Sequence, residues 1–147
     1  MVFRTAYRIT GNAADAEDVL QTIFLRLLRR ESSVVSVTKE ESYLRRAAVN
    51  ASLDLLRTRR SEQSVPLTEA GAQPQSSPAE LRESLRRAIA RLSPRSAEIF
   101  GLRYFEDFTN QQIAQVLNIS QILVAVTLHR TRRQLQEEIR SYFGGQL

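Results

Sequence analysis

His129 is the only histidine in this chain of 147 residues, and there is no cysteine. No glycine-rich phosphate loop is present and no carboxylate pair stands at a useful spacing, so the residue set offers neither a nucleophile with its base nor a metal cluster. No enzyme, no cofactor and no metal is expected. His129 itself lies within LHRTRR, where contact with a phosphate or a place on the helix surface suits it better than catalysis. What remains is recognition of charge. Net charge is +5 and the basic side is almost wholly arginine, with Lys39 the sole lysine. A guanidinium fork fits phosphates and carboxylates alike, so nucleic acid and acidic protein surfaces are both candidate partners.

The stretch SQILVAVTLHRTRRQL, Ser120 to Leu135, concentrates that chemistry and complicates it. It starts like the second helix of a helix-turn-helix and ends in a basic run. Between those ends, where polar base-reading side chains are expected, stand Ile122, Leu123, Val124, Ala125 and Val126. Helical spacing assigns Val124 and Leu128 to a core. The others need an outside explanation: a thymine methyl for one or two of them, or a covering protein or self-association surface for more.

The elements that must position these residues are helical throughout, since strand-like alternation is absent. The segment Ser61 to Glu80 holds three of the four prolines and many small polar residues, which reads as a flexible linker. Charge divides around it: residues 1–60 and 81–147 are both basic, and the linker carries acids and no base. In the first module Asn12 caps a helix that buries Val19, Leu20, Ile23, Phe24 and Leu27. ESSVVSVTKEE reads as a loop, and a second helix runs from about Glu41 to Arg59 with Leu44, Ala48, Ala51 and Leu55 on one face. In the second module Ser93-Pro94 opens a helix and Thr109 to Gln112 fits a capping box. Asn118 suits the left-handed end of that helix, and Ser120 caps the next. Thr109 to Arg133 is then a helix-turn-helix whose core is Ile113, Ala114, Leu117, Ile119, Val124 and Leu128. No apolar run is long enough to span a bilayer and the N-terminus carries no signal-peptide pattern, so no membrane insertion is expected and the simplest compartment is cytoplasmic.

AYRITGNAADAEDVLQTIFLRLLRR, SYLRRAAVNASLDLLRTRR, LSPRSAEIFGLRYFEDFTNQQIAQVLNIS and LHRTRRQL, in that order, resemble the bacterial RNA polymerase sigma factors of the extracytoplasmic-function, sigma-24-like class. The resemblance implies an all-α fold of two modules. Residues 1–60 are similar to sigma region 2, residues 61–80 are the linker, and residues 81–147 are similar to the region 4 helix-turn-helix. It further implies a sigma factor that directs core RNA polymerase to promoter DNA and aids initiation, commonly held in check by an anti-sigma factor. The helix DAEDVLQTIFL would dock on the polymerase clamp through an exposed stripe of Asp15, Asp18, Thr22 and Leu25 bordered by Gln21, acids around a leucine suiting an arginine-rich partner. Asp15 could equally serve only its own helix N-terminus. The helix of residues 42–60 would face the melted promoter element with Arg46, Asn50, Leu53 and Arg57, arginines holding phosphates and asparagine meeting flipped bases. Tyr43 stands near the family's aromatic position, and Asp54 reads as a structural partner of Arg57 or Arg46. The last helix would enter the upstream major groove with Ser120, Gln121, Thr127, Arg130 and Arg133, while Arg132 bonds phosphate or a neighbouring helix.

The chain departs from the family's pattern in two places. Ala125, Val126 and Thr127 occupy positions usually polar or basic, and each lost bidentate contact forfeits ~1–3 kcal/mol of base discrimination. The family also carries a further helix ahead of the position of Met1, which implies a late-assigned gene start or a shortened variant, with a reduced neighbourhood for Phe3, Tyr7 and Ile9. Two alternatives to a promoter-reading sigma factor follow: a sigma-like protein whose helix-turn-helix contacts protein, and a stand-alone helix-turn-helix regulator. The leading reading requires two separable bodies and an acidic ridge open to solvent.

Overall fold

Gly11 and Asn12 together turn the chain between its first two helices. Gly11 takes a left-handed φ of 69° at the end of α1 (Val2–Thr10). Its N–H donates to the Tyr7 carbonyl at 2.8 Å. Asn12 Oδ1 then accepts the N–H groups of Ala14 at 2.8 Å and Asp15 at 3.2 Å, capping α2 (Ala13–Arg29). These contacts belong to a computed structural model, which describes residues 1–29, 37–62 and 77–142. Five further helices follow: α3 (Val37–Glu62), α4 (Pro78–Ala90), α5 (Pro94–Tyr104), α6 (Asn110–Leu117) and α7 (Gln121–Tyr142). No strand occurs among the described residues.

The expected loop before Glu41 is helical from Val37 onward, so α3 is longer than its polar start suggests. Residues 30–36 and 63–76 lie outside the described residues, and with them most of the expected linker. Its ends are helical. Ser61 and Glu62 finish α3, and Ser77 caps α4, with Pro78 at the first helical position and the Glu80 N–H on the serine hydroxyl at 3.1 Å. This is the same start signal read correctly at Ser93-Pro94.

The helix-turn-helix forms as expected. Thr109 and Gln112 complete the capping box, Asn118 ends α6 at φ 56°, and Ser120 Oγ accepts the Leu123 N–H at 3.0 Å. The chain bends by 111° between α6 and α7, within the usual range for this motif. Ile113, Ala114, Leu117, Val124 and Leu128 are buried, and Ile119 packs on them half-buried. Among the described residues no single helix is long and apolar enough to cross a membrane.

α3 determines how the pieces sit together, because both its sides are apolar. Ala47, Ala48 and Ala51 pack against Ala6 of α1 and Ala16, Val19 and Ile23 of α2. Val49, Leu53 and Leu56, on its other side, join Ile9 to the core of α4, α5, α6 and α7. The two bodies therefore share one of their two cores and are not held apart as the tethered arrangement expected. The reason is Val49, Leu53 and Leu56: a row wide enough to need a second cover. Ile9 is fully buried within that shared core, so it has no reduced neighbourhood. Phe3 and Tyr7 do remain exposed, with their rings stacked at 6.2 Å.

Candidate functional site

The outward side of α2 combines carboxylate and hydrocarbon. Asp18, Gln21, Thr22 and Leu25 are exposed, as the stripe requires. The Thr22 hydroxyl donates to the Asp18 carbonyl at 2.8 Å. No cation pairs with Asp18 among the described residues. Leu20, Gln21, Phe24 and Leu25 line a shallow apolar depression. Phe24 is 59% and Leu28 67% exposed, so the sequence expectation that Leu20 and Phe24 are buried is corrected. The helices opposite present mainly alanine, and so narrow a surface covers Ala16, Val19 and Ile23 of α2 fully and leaves Leu20 and Phe24 outside.

Asp15 also departs from the expected stripe. It is 3% exposed, and Arg59 of α3 donates to its carboxylate. The pair joins an acid in the first turn of α2 to a cation in the last turn of α3, a placement that both helix dipoles favour. Asp15 thus binds the first body to itself.

The expected single-strand face of α3 is spoken for within the chain. Arg46 Nε and Asn50 Nδ2 both donate to Glu98 Oε2 of α5, at 2.6 and 2.7 Å. Leu53 is buried in the shared core. Arg57 donates to Asp54 at 3.0 Å, one of the two partners foreseen for that acid. Next to Arg46, Arg45 reaches Glu41 at 2.8 Å and Glu106 at 2.6 Å. The hydrogen bonds that Arg45 donates to Glu41 and then to Glu106 raise its pKa above the ordinary value, so this guanidinium stays charged at any accessible pH. Glu106 also accepts the Thr5 hydroxyl of α1.

Two arginines tie the bodies at helix ends. Arg8 of α1 donates to the Phe105 carbonyl past α5 at 3.0 Å, and Arg86 of α4 donates to the Ile9 carbonyl near the end of α1 at 3.1 Å. Each guanidinium takes an orphan helix carbonyl of the other body.

On α7, Gln121, Arg130 and Arg133 are exposed and Thr127 is half-buried. Ser120 is exposed too, although its hydroxyl is engaged in the cap. Arg132 donates to the Tyr104 hydroxyl of α5, the neighbouring-helix contact that was one of its two alternatives. Val124 and Leu128 are core, as spacing requires, while Ile122 is 77%, Leu123 48% and Val126 39% exposed. The outer face of this helix carries hydrocarbon before it carries arginine.

Sequence reasoning missed Glu98, Glu106 and Gly101. A signal was available for the first: in SAEIFGL a carboxylate is embedded in an apolar run, and a buried carboxylate must find donors. Gly101 gave none, because only the crossing with α3 explains it.

The family model of sigma-70 region 2 matches residues 1–62, and that of sigma-70 region 4 matches residues 82–135. An ECF RNA polymerase sigma factor SigL of Mycobacterium tuberculosis is 31% identical over 143 residues, covering 92% of this chain and 81% of that protein. An RNA polymerase sigma-E factor of Streptomyces avermitilis is 29% identical, over 95% of this chain and 79% of that protein. The ECF RNA polymerase sigma factor SigW of Bacillus subtilis is 24% identical, over 95% and 83% respectively. With both sigma-70 regions present in order and such relatives along nearly its whole length, the chain belongs to the extracytoplasmic-function sigma factors of bacterial RNA polymerase.

Proposed function

We propose that this sigma factor grips core RNA polymerase with the outer side of α2, meets separated promoter strands with α3 and lays α7 on duplex DNA upstream. As a member of its family it is a non-catalytic subunit that directs RNA polymerase to promoters. The assignment of roles to residues is ours. Asp18, Gln21, Thr22 and Leu25 form the polymerase contact; Arg46, Asn50 and Arg57 the single-strand contact; Ser120, Gln121, Thr127, Arg130 and Arg133 the duplex contact. Residues 1–60 and 81–147 act as the two working bodies, joined by residues 61–80. A partner of this kind places the protein in the cytoplasm.

The observation that carries the polymerase contact is the exposure of Leu25, Phe24 and Leu28 beside Asp18, an acid with no cation partner among the described residues. Apolar burial supplies holding strength and charge steers the encounter. The test is capture of core polymerase by the purified chain. Leu25→Asp, at an exposed position, abolishes capture and leaves the thermal transition in place. Full capture by that variant refutes the contact.

One observation favours a second reading of the C-terminal body. Ile122, Leu123 and Val126 are exposed where polar readers are usual, which suits a protein cover such as an anti-sigma factor or a second copy. Selective duplex binding lost in Gln121→Ala and Arg130→Ala supports promoter reading; binding equal on all sequences supports the protein contact.

A further inference from the structure

The face of α7 turned away from the core changes character along its length. At 3.6 residues per turn, Ile122, Val126, His129 and Arg133 stack on the side opposite the buried Val124, Leu128, Thr131 and Leu135. The start of this face is hydrocarbon, since Ile122 and Val126 are exposed and are flanked by exposed Leu123 and Ala125. Its later turns are cationic. Arg130 and Arg133 are exposed, and neither has an ion pair or hydrogen bond among the described residues. From Phe108 to Gln136, a span covering α6 and most of α7, the chain holds no Asp or Glu.

An acid-free surface with free arginines suits a polyanion. The second helix of a helix-turn-helix fits the major groove, where its N-terminal residues meet base edges. Among the groups on those edges, the apolar one is the thymine C5 methyl. We propose that Ile122 and Val126 read thymine methyls, so that this chain selects its upstream duplex by hydrocarbon contact while Arg130 and Arg133 hold phosphates. This rests on the reading of α7 given under Proposed function. Short side chains are what such a contact needs. Apolar groups touch only within about 4 Å, and no long side chain at Ile122, Ala125 or Val126 holds the helix off the base edges. Ile122 and Val126 are about 6 Å apart along the helix axis, close to two base-pair steps of about 3.4 Å. The selected element therefore carries thymines about two steps apart. A protein cover is the poorer occupant. Beyond Val126 the exposed positions of α7 are polar, so its bare hydrocarbon is little more than one turn long, whereas a stable protein interface takes roughly 800 Å² from each partner.

The outer side of α7 is uncovered, so the experiment uses the full chain as it is. Duplexes are selected from a random-sequence library at low salt. The preferred duplex is then remade with uracil in place of each thymine in turn, a change that removes the C5 methyl and keeps the pairing. The expected result is two thymines about two steps apart, each costing about fourfold in affinity when replaced by uracil. Ile122→Ala should abolish the difference between thymine and uracil at one of them, and Val126→Ala at the other. Both residues are exposed, so both variants should keep the thermal transition of the unaltered chain. Selective binding that uracil leaves untouched at every position overturns the methyl reading and leaves α7 on the duplex. Binding without sequence preference, unaffected by Arg130→Ala and Arg133→Ala, overturns the reading of α7 itself and the methyl contact with it. A dimer in sedimentation that Ile122→Asp/Val126→Asp splits, with uracil again without effect, makes this face a self-association surface and refutes the proposal.

Discussion

Gly101 lies within α5, where a Cβ would stand 2.7 Å from Val49 Cγ1 and 3.9 Å from Leu53 Cδ1. In a free helix, glycine to alanine gains about 1 kcal/mol. Here the new methyl meets a valine that is fully buried and held to one preferred rotamer by its branching. Overpacking of this kind costs ~1–3 kcal/mol, so the two effects oppose and the clash wins: Gly101→Ala should lose roughly 1 kcal/mol. Val49→Ala alone should lose roughly 2 kcal/mol from transfer and cavity together. In the double variant the alanine methyl enters the vacated space, and the two losses should fall short of additive by about 1 kcal/mol. Urea unfolding followed by helix signal measures all three, and a shared core requires a single transition for both bodies. Should Gly101→Ala instead gain the full propensity term, with no coupling to Val49, the close crossing of α3 and α5 does not exist.

Three further outcomes follow from named contacts. Asp15→Asn should cost about 1–2 kcal/mol of stability, held down because Arg59 is half-exposed and can turn to water; polymerase capture should survive, and its loss would return Asp15 to the docking ridge. Thr109→Ala removes one arm of the capping box and should lower stability by about 1 kcal/mol in the same urea assay, with Thr109→Ser restoring it. Arg130→Ala and Arg133→Ala should each reduce the slope of log affinity against log salt for duplex DNA by about one; an unchanged slope would remove that arginine from the phosphate contacts.

The caps were legible because each is a local bargain between a side chain and a backbone N–H a few residues away. Asn12, Ser93, Thr109, Asn118 and Ser120 all do what their types and spacing predict. Ser77-Pro78 carried the same signal and was hidden by the surrounding small polar residues. What was not legible depends on partners distant in the chain. On α2 the apolar residues wrap too far around the helix to say which are core, and the alanines of α3 decide that Phe24 stays outside while Asp15 goes in. On α3 the alanine face was plain, but Leu53 among arginines looked like part of a wet surface until α5 covered it. α7 divides the same way. Val124 and Leu128 follow from period alone, whereas Ile122 and Val126 are apolar residues that the described residues leave exposed.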